Sequence, residues 1–443
     1  MKIALFSPLP PKRTGIARYT LFLSAALSEF AEVDLFDTDV TAETVSPNLP
    51  VIDFAKDPGS IVRLNEYDGC IYHLGNNPFY HLEIYKILLR KPGIVVLHDT
   101  VLYYLIAGWT VGGRVKEFCI NYGADRLGEF WEIVSSCPNG DIFRYPHPER
   151  YPFLKRVFDQ ATAIIVHSQT SKEHIQQAGY QGPVHAIDLL NYESEVSLVK
   201  AEHYLLKATL GIDEGDLVIG TFGFIGATKR LSALIEAIDK IGDSIQFKLL
   251  VVGEGEDREL KEQISLRGLE HKVLRPGFVA DDDFRRYLEL TDIVVNLRYP
   301  SMGETSATLI QAFSLSKPCI VTNHAWFSEL PDDCVRKVAY GKGEVTDLIE
   351  SLLELAADPV AREQLGKRAL AYLGSHCSPQ IVAQEYLEVV RSVASESKST
   401  STIDLPRRTV GHGASAPMSA DWTKEYLTSR LQELLPPEKE APN

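Results

Sequence analysis

The chain has 443 residues, of which 45% are apolar and 24% charged, so it carries enough material for two sizeable folded cores. Its 60 acidic and 45 basic residues give a formal net charge of -15, which argues against non-specific binding to nucleic acid. Six cysteines show no C-x-x-C pair and no zinc spacing, so free thiols in a reducing, cytoplasmic setting are expected, and no metal site.

The first segment, Ile3 to Phe6, reads as a strand. Its apolar stretch is too short for a signal-peptide core and prolines break it, so no export is expected. No apolar run approaches the ~18 residues of a membrane span, and peripheral membrane contact stays open. The loop Pro8 to Gly15 leads into a helix near Ile16, whose apolar residues Ile16, Tyr19, Leu23, Ala26, Leu27 and Phe30 recur at helical spacing. Gly15 lets the backbone approach a ligand there, and the helix amino terminus favours negative charge. A plain turn explains the loop equally well, and it lacks the G-x-G-x-x-G spacing of a dinucleotide site.

Further strands are expected at Val33–Phe36, Gly69–His73, Ile94–His98 and Ala163–His167, alternating with helical segments. That alternation is the signature of a parallel sheet. His98 and Asp99 then fall at the carboxyl edge of the sheet, where open α/β folds bind ligands. A histidine there can donate to a substrate hydroxyl and the aspartate can orient it or bind a sugar. His73 is a weaker candidate at the preceding strand end. The apolar residues from Val101 to Trp109 read as core, with contact to a lipid-linked acceptor as the other reading.

After a polar stretch near 191–215 the pattern restarts with Val218–Phe222, Phe247–Val252, Val273–Leu274, Ile293–Asn296, Cys319–Thr322 and Val335–Val338, which predicts a second doubly wound sheet. The loop from Gly223 ends in Lys229 and Arg230 just before a helix, a place where two cations can pair with a diphosphate; a solvated pair of charges is the plain alternative. In Tyr299 to Phe313, proline and glycine make a loop, Thr305 or Ser306 caps a helix, and its free amides form an anion site. Glu304 and Gln311 lie seven apart and are expected to face one ligand.

The expected organisation is an amino-terminal Rossmann-like domain over 1–195 and a carboxyl-terminal one over 205–377. A crossover helix over 378–394 returns toward the first domain, a Ser/Thr/Lys-rich linker follows over 395–418, and an amphipathic helix and tail over 419–443 carries Trp422, Tyr426, Leu427 and Leu431.

Taken together, residues 1–394 resemble the retaining glycosyltransferases of the GT-B fold, family-4 type (glycosyl transferases group 1). The resemblance rests on the Gly15 loop, His98-Asp99, the Gly223-to-Lys229 spacing, Val251 to Gly255, Pro276 to Val279 and the stretch from Pro300 to Lys317-Pro318. It implies an α/β fold with two Rossmann-like domains facing a cleft, the first (1–195) binding the acceptor and the second (205–377) the donor. It also implies transfer of a sugar from a UDP- or GDP-linked donor, a substrate rather than a cofactor, to a glycan, lipid-linked or protein acceptor. The resemblance assigns Lys229, with Gly223, Gly303, Thr305 and Ser306, to the donor phosphates and sugar, with Arg230 sharing the load or Lys229 acting alone. Gly253, Phe278 and Val279 fall to the base, Gln311 to the ribose, and His98, Asp99 and Glu304 to the transferred sugar. Three departures stand out: Phe224 replaces an arginine of the phosphate loop, and the two family glutamates fall on Gly303 and Gln311. Epimerases and phosphorylases of the same fold, or a catalytically degenerate nucleotide-sugar-binding subunit, are the rival readings.

Overall fold

A computed structural model describes residues 1–191, 200–255 and 258–400. The first half builds a seven-stranded sheet from β1 (Lys2–Phe6), β2 (Glu32–Asp37), β3 (Val51–Asp53), β4 (Gly69–Leu74), β5 (Gly93–Leu97), β6 (Ala161–Val166) and β7 (Val184–Ala186). The second half builds a six-stranded sheet from β8 (Leu217–Phe222), β9 (Phe247–Val252), β10 (Val273–Gly277), β11 (Ile293–Asn296), β12 (Cys319–Thr322) and β13 (Arg336–Val338). Every strand pair is parallel, in the orders β3-β2-β1-β4-β5-β6-β7 and β10-β9-β8-β11-β12-β13.

The parallel arrangement follows from the apolar runs. Ile3 to Phe6 and Ile94 to Leu97 are at most 1% exposed, because helices cover both faces and no side of the strand can be polar. The three-residue edge strands β3 and β7 escaped the sequence reading. Val51 to Asp53 is only half-buried, so it has no continuous apolar run to announce it.

The strand orders locate a candidate ligand site. In the first sheet the chain leaves β1 toward β2 on one side and β4 on the other. In the second sheet β8 is likewise flanked by β9 and β11. These are topological switch points, where loops part and a crevice opens at the carboxyl ends of the strands. The loops after β1, β8 and β11 are those that carry Gly15, Gly223 to Lys229, and Gly303 to Ser306.

The last described helix, Pro379–Thr400, lies against the first half, with Val382, Ala383, Tyr386, Leu387 and Val390 buried. Tyr386 shares a 2.9 Å hydroxyl hydrogen bond with Tyr19 and stacks on His73. It continues to Thr400 rather than giving way to a linker at 395, since propagation past a packed segment needs no new nucleation. The expected linker beyond 400 and the apolar stripe of 419–443 lie outside the described residues. The six cysteines are free, and no described helix is long and apolar enough to cross a membrane.

Candidate active site

The first loop is fixed by a buried carboxylate. Asp37, at the end of β2, accepts from the Leu9 amide at 2.9 Å and from Lys12 Nζ at 2.5 Å. Burial nonetheless pushes its pKa up, more than Lys12 lowers it. Thr14 caps the helix Gly15–Ser28, and Arg13 reaches across to the second half, its guanidinium 4.6 Å from the centre of the Phe278 ring. Phe278, 49% exposed, is therefore an open platform at the end of β10 with a cation above it. Val279, beside it, packs against the core.

Five of the residues expected to act together line one cleft: Gly15, His98, Asp99, Glu304 and Thr305, joined by Ile16, Tyr19, Leu189 and Ala307. The cleft holds about 170 Å³. That is below the ~300–1,000 Å³ usual for a whole ligand, so it accounts for one end of a larger ligand. Both halves contribute walls to it.

His98 is held from behind. Its Nε2 lies 2.9 Å from His73 Nδ1, the rings are stacked, and Tyr19 and His167 pack edgewise or tilted against it. Burial, then the neighbouring His167 and His73, lowers its pKa well below the usual imidazole range, so a neutral ring faces the cleft. Its Nδ1 is left for a ligand.

Asp99 Oδ2 accepts from the Asn76 amide at 2.8 Å. Burial first, and then Glu304 across the cleft, push its pKa up to about 7. The sign of the stability effect follows. The folded protein keeps a proton that the unfolded chain, near pKa ~3.9, releases. This contribution is therefore whole below pH ~4 and is lost as pH rises through 7. Asp99→Asn is expected to gain melting temperature on the wild type between pH 4 and 8; parallel curves would show an unshifted carboxyl.

The opposite wall comes from the second half. Gly223 (φ 101°) turns the chain out of β8, and Gly253 (φ 144°) sits so close beneath it that a Cβ would lie 2.0 Å from the Gly223 carbonyl. The role of Gly253 is thus to let the two loops stack. Lys229 returns beneath Gly223, 6% exposed, and donates to the Phe222 carbonyl at 3.0 Å and to Asn296 Oδ1 at 3.3 Å. Asn296 also donates to Ser306 Oγ at 2.7 Å, and Ser306 caps the helix Ala307–Ser314 by accepting from the Leu309 amide. One chain of hydrogen bonds thus fixes Lys229 beside the helix start. The backbone amides from Glu304 to Thr308 have no backbone carbonyl partner among the described residues, which makes this end an anion site.

Arg230 corrects the expectation of a second phosphate cation. It adopts a left-handed conformation (φ 54°) that turns its guanidinium to Glu344, a carboxylate 1% exposed, which it grips through both Nε and Nη2. A buried carboxylate needs a partner more than an open loop does. Arg230→Ala is expected to lower thermal stability, by less than the ~3–5 kcal/mol of a fully buried pair because the arginine side chain is 34% exposed. Calorimetric melting checks it.

Glu304 lies in the loop, before the helix, not on its face. Its Oε2 accepts from the Met302 amide at 2.6 Å and from Ser301 Oγ at 3.2 Å. Gln311 is one turn below Ala307 on the cleft-facing side, half-exposed, and its side chain makes no hydrogen bond. Gly303 (φ 85°) is where the halves meet. The Met302 carbonyl accepts from the Thr100 and Val101 amides at 2.8 and 3.2 Å, and the Gly303 carbonyl accepts from Ser171 Oγ at 3.0 Å. Thr100, buried completely, and Ser171 were not anticipated. Neither was Arg298, two residues beyond the end of β11. Its place at a strand's carboxyl end was the available signal.

Two doubly wound parallel sheets that meet over one cleft, with a helix amino terminus and a buried lysine on one wall and a histidine-aspartate pair on the other, define the GT-B architecture. Residues 205–371 match the family model described as glycosyl transferases group 1. An uncharacterised glycosyltransferase of Methanocaldococcus jannaschii is 26% identical over 141 residues, 31% of this chain and 35% of the relative. The mannosylfructose-phosphate synthase of Agrobacterium fabrum is 29% identical over 164 residues, 34% of this chain. The match thus spans only about a third of each of these relatives, 35% and 32% of their lengths. The solved sucrose-phosphate synthase of Thermosynechococcus elongatus superposes with a TM-score of 0.64 at 15% identity, over 89% of this chain and 100% of that one. Anabaena HepE in complex with UDP gives 0.59 at 17%, over 88% and 100%. At these identities the likeness concerns the fold.

Proposed function

We propose that the protein is a retaining glycosyltransferase that moves a sugar from a UDP- or GDP-linked donor to an acceptor hydroxyl of a glycan, lipid-linked or protein substrate. The observation that carries this reading is the cleft in which Glu304, Thr305 and the helix start at Ala307 share one lining with His98 and Asp99, with Lys229 tied to that helix start through Asn296 and Ser306. When the sugar-phosphate bond breaks, negative charge collects on the departing diphosphate. Fixed donors at the helix start and the lysine stabilise it without reorganising. Neutral His98 donates through Nδ1 to a sugar hydroxyl, and Asp99 accepts from one. The direct contacts between the Gly303 turn and Thr100 and Ser171 close one side of the cleft to water, whose attack on the donor is the competing reaction. That a similar fold, Anabaena HepE, was solved with UDP supports the choice of donor class.

The test is incubation with a panel of nucleotide sugars and acceptors, followed by detection of free nucleoside diphosphate and of product stereochemistry. Release that depends on acceptor, with the anomeric configuration kept, is expected. Gln311 in place of a glutamate favours a second reading, a nucleotide-sugar-binding subunit. Donor binding without turnover on any acceptor would select it.

A further inference from the structure

We infer that Arg298 is the second cation of the donor diphosphate site and that phosphate binding takes it from Glu304, freeing that carboxylate for the sugar. The inference rests on the reading of the cleft as a nucleotide-sugar site. Strands β8 and β11 are hydrogen-bonded neighbours at the switch point of the second sheet, and Lys229 and Arg298 leave their two carboxyl ends. Arg298 Nη1 donates to Thr228 Oγ1, the residue before Lys229, at 3.4 Å. Its backbone amide is fixed by Thr322 Oγ1 at 2.9 Å. The guanidinium therefore lies beside the lysine and ahead of the helix Ala307–Ser314.

The partnership of Arg298 with its own protein is poor. Nε is 3.2 Å from Glu304 Oε1, close enough for an ion pair, yet this buried N-H is aimed at no acceptor and makes no hydrogen bond. The geometry outweighs the distance here, because an arginine-carboxylate contact is strong only when the N-H points at the oxygen. A fork of five donors is thus left with one long bond. Glu304, for its part, is already satisfied through its other oxygen by Met302 and Ser301.

Charge points the same way. Lys229 and Arg298 repel, and after burial the Arg298 charge is the next cause of the lowered Lys229 pKa, with only Glu304 opposing it. A buried and a half-buried cation facing one carboxylate are matched by a dianionic ligand with several acceptor oxygens. Arg230 is excluded by its grip on Glu344. The sequence offers no other arginine in these two loops.

The experiment is calorimetric titration of the full chain with UDP and GDP, and with uridine and guanosine, for the wild type, Arg298→Gln and Arg298→Lys. The wild type is expected to prefer one diphosphate over its nucleoside by at least about 10-fold, Arg298→Gln to lose about 10- to 100-fold of that preference, and nucleoside affinity to stay within about twofold. Arg298→Lys, which keeps charge and loses the fork, should fall between them. An unchanged preference in Arg298→Gln overturns the assignment while the site reading stands. A wild type that binds neither diphosphate overturns the site reading itself. Should Arg298→Gln fail to fold, Arg298→Lys decides, and a preference equal to the wild type overturns the inference.

Discussion

Replacement of Lys229 by alanine is expected to lower kcat with the true donor by about 100- to 1,000-fold while leaving nucleoside affinity nearly intact. Loss of one fixed donor to a developing oxyanion costs about that much when the donor is preorganised in a water-poor site. Lys229 meets both conditions, being 6% exposed and tied to the Phe222 carbonyl and Asn296. Burial and then the Arg298 charge lower its pKa, so an incoming diphosphate favours the ammonium form. The effect should therefore appear with diphosphate donors and not with nucleosides. Because alanine also strands the Phe222 carbonyl and Asn296, Lys229→Met serves beside it, filling the volume without the charge. Steady-state kinetics with both variants, read against their melting temperatures, is the check. Transfer within a few-fold of wild type in either folded variant would remove the lysine from the site.

The architecture was legible in the sequence because a parallel sheet covered on both faces writes itself as uninterrupted apolar runs. The carboxyl-edge rule then placed His98, Asp99 and the Lys229 loop without any contact information. What stayed hidden depends on pairs distant in the chain. Arg230 and Lys229 look alike as adjacent cations after a glycine turn. Only Glu344, 114 residues on, ties one of them down and leaves the other to turn beneath Gly223. Gly253 reads as a flexible loop residue until the Gly223 carbonyl is found lying against it. Glu304 and Gln311 lie seven apart, but the helix begins three residues after Glu304, so the glutamate acts from the loop and only Gln311 from the helix. Ser306, by contrast, was recoverable as a cap, since a short side-chain acceptor before an apolar helix has a local cause.

Gly303→Ala is expected to remove activity almost wholly and to destabilise the contact between the two halves. Two costs act at once. At φ 85° a side chain meets its own backbone, which costs on the order of 1–2 kcal/mol. The added Cβ would also stand 2.0 Å from Thr100 Oγ1 and 2.8 Å from Thr100 Cβ, inside van der Waals contact of a residue that is completely buried. The turn can escape only by withdrawing from the first half. That gives up the hydrogen bonds of the Met302 carbonyl to the Thr100 and Val101 amides, and it moves Glu304 and the open helix amides that follow in the same loop. A displacement of about 1 Å at reacting groups costs on the order of 100-fold in rate. The two costs separate in a double-mutant cycle. Thr100→Gly removes the opposing Oγ1, Cβ and Cγ2, so the pair Gly303→Ala with Thr100→Gly should recover more activity than either single change predicts, short of wild type by the backbone term alone. Strict additivity would mean that the halves do not meet at this point during turnover, and that the closed cleft is not the reacting one.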